Sequence, residues 1–155
     1  MGLDIRSKSG LRFHIGYSGY FFMRCKVLDA IQPGLGLMYD WSTCSDGGRP
    51  LHGIEEKYDD KHVPRLADGT SSSEFAKTCG NLLWCWLNNA EYKALARHFI
   101  YHSDCDGKLT AAQCKRLIKD FDKIVNSPKG FEDKFAEFRK LVKTAADRNE
   151  TLFFG

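Results

Sequence analysis

The chain has 155 residues with a net charge of +3, and hydrophobic residues make up 43% of it. This length is typical of one domain with a substantial core, and the apolar content excludes an intrinsically disordered chain. Basic and acidic residues alternate along most of the sequence, which argues against nucleic acid as a partner. No apolar run reaches the roughly 20 residues of a membrane helix and no signal peptide is recognisable, so we expect a cytoplasmic protein with reduced cysteines.

The N-terminal residues predict a small β element followed by a helix. Leu11–Tyr17 alternates apolar and polar residues, as a half-buried strand does, and Gly2–Ile5 is its candidate partner strand. Apolar residues then recur at near-helical spacing in residues 20–31. The Pro33-Gly34 pair that follows ends this helix.

Residues 34–70 are the least regular part of the sequence, with glycine pairs, two prolines and aspartate-rich turns. This composition predicts a long irregular insertion within one compact domain, 1–155. Its most aromatic stretch is Met38-Tyr39-Asp40-Trp41. We expect Trp41 either to cover the core or to contact a partner from an exposed loop.

The rest of the chain predicts four helices. Capping boxes at Ser71–Glu74 and Thr110–Gln113 mark two helix starts, a third helix covers residues 90–100, and Pro128 favours the start of the last one. The core residues that we expect on these helices are Phe75, Cys79, Leu82, Leu83 and Trp86; Leu95, His98 and Phe99; Cys114, Leu117, Ile118, Phe121, Ile124 and Val125; and Phe131, Phe135, Phe138, Val142 and Ala145. The sequence therefore predicts a mainly α protein of the α+β class, with about five helices and a tail that tucks into a groove.

The most distinctive segment, residues 102–107 (HSDCDG), follows one predicted helix and precedes the capping box of the next. In an EF-hand calcium loop with this glycine at the turn, Asp104 and Asp106 occupy ligand positions three and five. Position one is His102 in place of Asp, and position twelve is Gln113 in place of the bidentate Glu. These residues predict either a degenerate calcium module, with Asp104 and Asp106 as metal ligands, or an acidic turn that caps the next helix.

Two further kinds of site use the same segment. His98, His102, Cys105 and Cys114 supply the nitrogen and sulfur ligands of a tetrahedral zinc site, although their spacing matches no standard zinc signature. Alternatively, Cys105 or the aspartate pair serves a small hydrolase. The sequence offers no recognisable oxyanion hole, so we assign no catalytic residue and favour a protein that is not an enzyme.

A second candidate surface is the glycine-rich turn before the first helix. Residues 16–20 (GYSGY) can present backbone amides to an anion, Arg24 lies nearby in the sequence, and the two tyrosines suit stacking against a ring. A strand-to-helix turn that binds no ligand has the same glycines. The residues that we expect to bind a ligand or partner are therefore His102, Asp104, Asp106, Tyr17, Tyr20 and Arg24.

Three short blocks of the sequence resemble a scattered group of small, uncharacterised proteins from bacteria and their phages. The blocks are the opening Met-Gly-Leu-Asp, the Phe-His-Ile-Gly-Tyr strand and turn, and the His-Ser-Asp-Cys-Asp-Gly loop. The resemblance implies a bacterial or phage origin and an accessory role, such as interference with a host defence system. We therefore expect a small non-enzymatic binding protein without a cofactor, which acts on a host protein or a small polar ligand. The calcium module and the hydrolase remain the alternatives.

Overall fold

The computed structural model describes residues 2–43, 56–89, 91–103 and 106–155, and it shows a mainly α fold with a small antiparallel sheet. Within these ranges the helices are α1 (Tyr17–Ile31), α2 (Leu35–Thr43), α3 (Ser72–Asn89), α4 (Lys93–Leu95), which continues as the π-helix Ala96–Ile100, α5 (Ala111–Asp122) and α6 (Glu132–Asp147). The strands are β1 (Gly2–Arg6), β2 (Arg12–Gly16), β3 (Lys57–Tyr58), β4 (Pro64–Arg65), β5 (Lys108–Leu109) and β6 (Leu152–Phe154). The α+β class is confirmed. None of the described helices is long and apolar enough to cross a membrane.

The main sheet has the strand order β2-β1-β6-β5, and every pair in it is antiparallel. The predicted N-terminal hairpin is confirmed, with Leu3 opposite Ile15 and Ile5 opposite Phe13. These four apolar side chains are buried and point toward the core, as the period of two in a strand requires. The C-terminal tail, predicted to tuck into a groove, instead forms β6 and pairs with both β1 and β5. It thereby ties the candidate loop to the N-terminal hairpin.

Helix α2 is the main departure from the predicted irregular insertion 34–70. The carboxylate of Asp29 accepts hydrogen bonds from the backbone N–H groups of Gly34 (3.3 Å) and Gly36 (2.9 Å), which satisfies the first turn of the helix. A Cβ at Gly36 would lie 2.4 Å from the carbonyl oxygen of Cys25, so only glycine permits this close approach to α1. Trp41 is 2% exposed and packs against α3 in a second, smaller hydrophobic cluster. Two glycines at the helix start conceal the helical pattern.

Two predicted core residues lie at the surface. Leu82 is 53% exposed because α3 turns Leu83 and Leu87 inward. Val125 is 94% exposed because α5 ends at Asp122, so the helical periodicity no longer applies three residues later. The other predicted core residues of these two helices are buried or half-buried.

The core is built around aromatic rings between the sheet and helices α1, α5 and α6. Phe99 of the π-helix contacts Phe121 at a centroid distance of 5.5 Å and Phe138 at 5.4 Å. The buried carboxylate of Asp120 accepts a hydrogen bond from the backbone N–H of Leu95 at 2.8 Å, so α5 caps the start of the helical segment that carries Phe99. These contacts fix the π-helix, and they therefore fix the start of the loop that follows it.

Candidate functional site

The 102–107 loop begins directly after the π-helix, and the buried Arg24 of α1 holds its first residue. Arg24 is 5% exposed, its Nη2 donates to the carbonyl oxygen of His102 at 2.6 Å, and its Cζ lies 4.2 Å from the ring centroid of Tyr20. Its Nη1 donates to the hydroxyl of Tyr39 at 3.4 Å, and that hydroxyl donates to the carbonyl oxygen of Ile100 at 3.3 Å. A cation at the C-terminal end of a helix is stabilised by the helix dipole. Arg24, on α1, therefore anchors the first residue of the loop from its buried side.

The imidazole of His102 contacts described residues on both sides of the loop and the C-terminal strand. Its Nδ1 is 2.7 Å from the carbonyl oxygen of Ser103, its Nε2 is 3.4 Å from that of Lys108, and its ring lies 4.4 Å from that of Phe154. Gly107 has φ +110°, and a Cβ there would lie 3.1 Å from Cε1 of the imidazole. The turn therefore needs glycine both for its backbone angle and for the space that His102 fills.

The far end of the loop is a helix start, as the sequence predicts. The hydroxyl of Thr110 accepts a hydrogen bond from the backbone N–H of Gln113 at 3.3 Å, and the side-chain oxygen of Gln113 accepts one from the backbone N–H of Thr110 at 2.8 Å. This reciprocal pair is a complete capping box. Just before it, β5 pairs with β6 and fixes the exit of the loop to the sheet.

These contacts bear on the calcium alternative. Position twelve, Gln113, uses its side-chain oxygen to cap α5, and position one, His102, turns its ring onto Phe154. In an EF-hand the backbone carbonyl of position seven binds the ion, and here that carbonyl, on Lys108, faces the imidazole. The guanidinium of Arg24, bonded to the His102 carbonyl, adds a fixed positive charge that opposes a divalent cation. Within the described residues the loop geometry thus favours helix capping.

The exposed part of the loop carries the polar groups that could contact a partner. Asp106 is exposed, and its backbone N–H donates to the hydroxyl of Ser103 at 3.3 Å. Ser103 and Lys108 are exposed as well. Asp104, the other predicted carboxylate, lies outside the described residues. The described rim is therefore polar, with charges of both signs and a buried support.

The glycine-rich turn is only partly joined to this loop. Tyr20 is completely buried and meets the rings of Phe99 and Phe138 edge-on, so it is not available to stack on a ligand as predicted. Tyr17 is half-buried, packs against the core and begins α1. The helix starts three residues earlier than the apolar spacing indicates, which places Tyr20 on its inward face. Of the predicted residues on α1, Arg24 contacts the loop directly, but as a buried support.

The residues of the zinc and hydrolase alternatives have different environments. Cys114 is fully buried on α5, and burial raises the pKa of its thiol to about 11, so the thiolate that binds metal is disfavoured. Burial and the charges of Arg116, His102 and Arg97 lower the pKa of His98. Cys105 lies outside the described residues. No group of three or more metal-ligating side chains occurs in the part of the chain that the structure describes.

An exposed aromatic pair beside the loop was not singled out from the sequence. Tyr101, 41% exposed, precedes the loop directly, and its ring meets that of Trp84 on α3 edge-on at a centroid distance of 5.3 Å. Trp84 is 47% exposed. Burial and the neighbouring Tyr39 raise the pKa of Tyr101 to about 12. The sequence signal was available, because Trp84 lies outside the apolar stripe of its helix and Tyr101 follows the last residue of the predicted helix 90–100.

No family model matches the chain, and no similar protein is found among curated sequences or solved structures.

Proposed function

We propose that the protein is a non-enzymatic binding protein and that the exposed rim of the 102–107 loop contacts its partner, a host protein or a small polar ligand. The observation that carries this proposal is the contrast between the two sides of the loop. Its underside is fixed by Arg24 and by the His102 ring, whereas Ser103 and Asp106 are exposed. Polar groups that are held in place before binding lose less conformational entropy when they bind, so they can contribute more to affinity.

The phage or bacterial origin implied by the short sequence blocks extends this proposal. A host protein involved in defence is then the partner to examine first. Polar loops placed on a rigid scaffold are common recognition elements, and the aromatic pair Trp84–Tyr101 adds a contact of the kind enriched at interfaces.

The test combines capture with mutation of the loop. Immobilised protein captures partners from a bacterial lysate, mass spectrometry identifies them, and binding of each purified partner is then measured directly. We expect the Asp104→Ala, Asp106→Ala double variant to lose binding while its melting temperature stays unchanged. The control is Asp60→Ala, Asp133→Ala, which removes two exposed carboxylates elsewhere and should bind normally. Equal binding by both double variants would exclude the loop as the interface.

Small ligands and metals are tested on the purified protein by elemental analysis and native mass spectrometry. A calcium titration with EDTA as its control tests the alternative module, because an ion that binds only the folded state raises the melting temperature. Two features keep this alternative open, the positive φ of Gly107 and the helices on both sides of the loop. No change of melting temperature at millimolar calcium would remove it.

A further inference from the structure

Five exposed basic side chains lie on two helical segments that pack against each other. Lys115, Arg116 and Lys119 lie on the outward face of α5, and Lys93 and Arg97 lie one turn apart on α4 and the π-helix, which pack against α5. All five are exposed, and none of them forms an ion pair with a carboxylate in the ranges that the structure describes. We call these five residues the basic face.

The half-buried His98 lies close to two members of the basic face, Arg116 and Arg97. Its pKa is lowered by burial first, and then by the charges of Arg116, His102 and Arg97. Asp120 opposes them, but its carboxylate is buried and bonded to the N–H of Leu95 and to the ammonium of Lys123. The bonds of Asp120 are thus made to Leu95 and Lys123 and not to the cations of the basic face.

The neighbouring helix α6 shows that this arrangement is local. There Lys134 pairs with Glu137 at 3.0 Å and Lys143 with Asp147 at 3.1 Å. Arg139 pairs across to Asp122 of α5. Alternation of charge along the sequence therefore neutralises α6 but not the basic face. The expectation against nucleic acid rested on that alternation, whereas folding places the unpaired cations together.

The basic face continues into the exposed aromatic pair. Arg97 lies on the π-helix, Tyr101 directly follows the last residue of that helix, and both side chains are exposed. Tyr101 in turn contacts Trp84 at a centroid distance of 5.3 Å. Exposed cations close in the chain to exposed aromatic rings offer charge for a phosphate backbone and ring surface for unstacked bases.

We infer that this surface binds single-stranded nucleic acid. The lysines and arginines neutralise successive phosphates, since guanidinium groups suit phosphate oxygens particularly well. Trp84 and Tyr101 then stack on bases. An acidic protein would use the cations but has no need of the aromatic pair, so the observations favour the nucleic acid. The inference does not depend on the partner proposed for the loop.

The first experiment measures the salt dependence of binding. The probe is a fluorescein-labelled thymidine oligonucleotide of about ten residues, and the readout is fluorescence anisotropy. If five phosphates are neutralised, the slope of log K against log salt is about −3.5, since each contributes about −0.7. The Lys115→Ala, Arg116→Ala, Lys119→Ala variant should reduce the slope to about −1.4.

The control variant Lys129→Ala, Lys140→Ala, Lys143→Ala removes the same charge from exposed positions outside the basic face, and its slope should match that of the wild type. Equal slopes for all three proteins would overturn the inference, as would the absence of binding at low salt. A labelled deca-glutamate peptide that binds as tightly as the oligonucleotide would also overturn it, in favour of an acidic protein partner.

The second experiment tests the aromatic pair. Trp84→Ala should weaken oligonucleotide binding by about five- to a hundredfold without changing the salt slope, because stacking involves no ion release. Tyr101→Phe keeps a ring for stacking and should bind like the wild type. Unchanged affinity in a folded Trp84→Ala variant would contradict the stacking role.

Discussion

Replacing Arg24 tests whether the candidate loop is held from beneath. In Arg24→Met the carbonyl oxygen of His102 loses its 2.6 Å donor, and the ring of Tyr20 loses the guanidinium above it. A hydrogen bond to a charged group contributes about 1.5–3 kcal/mol, and a cation–π contact about 0.5–2 kcal/mol. Methionine recovers part of this through apolar packing. We therefore expect the free energy of unfolding to fall by about 2–4 kcal/mol.

The assay is urea unfolding at equilibrium, with the midpoint read at constant slope, combined with hydrogen exchange of the loop amides. The control, Arg12→Met, changes an exposed arginine on β2 and should cost less than about 0.5 kcal/mol. Arg24→Lys keeps the charge but has a single donor group, so its stability should lie between those of the wild type and Arg24→Met. If Arg24→Met is no less stable than Arg12→Met, or if loop exchange is unchanged, Arg24 does not anchor the loop.

Three further predictions concern the turn, the thiols and pH. Gly107→Ala should lower the free energy of unfolding in urea more than Gly10→Ala does, because both glycines have positive φ but only Gly107 faces a side chain within 4 Å. Equal decreases in the free energy of unfolding would exclude the contact with His102. Near neutral pH, iodoacetamide should modify the exposed Cys85 and spare the buried Cys114, whose pKa is raised to about 11. Peptide mapping that finds both thiols modified at the same rate would contradict the burial of Cys114. Preferential modification of Cys105 would support the hydrolase alternative. Burial raises the pKa of Tyr101 from its usual 10 to about 12, so the neutral phenol contributes fully to stability below pH 10 and this contribution is lost as the pH rises through 12. If the free energy of unfolding of Tyr101→Phe changes with pH in the same way as that of the wild type, this prediction is wrong.

Local signals in the sequence predicted the elements that border the candidate loop. The capping box of Thr110 and Gln113 is a contact between neighbours along the chain, and it forms as expected. The alternation in residues 11–17 likewise predicted β2, since a strand shows its buried face directly in its period of two. Both features are decided within a few residues, so the sequence contains all the information they require.

The parts that were missed depend on contacts between distant residues. Arg24 is buried because α1 and the π-helix bring it to the carbonyl of His102, 78 residues further along the chain. Helix α2 depends on the carboxylate of Asp29, which caps a glycine-rich segment that has little helical tendency of its own. The basic face arises only when α4 and the π-helix pack against α5. No periodicity along the sequence encodes these juxtapositions.

The most direct test of the proposed function is a comparison of partner binding between the wild type and Asp104→Ala, Asp106→Ala, with melting temperature measured on the same samples. We expect the partner to bind the wild type and the control Asp60→Ala, Asp133→Ala equally, and to be lost from the loop variant while the melting temperature is unchanged. Binding that persists in a folded loop variant would contradict the assignment of the 102–107 loop as the recognition surface.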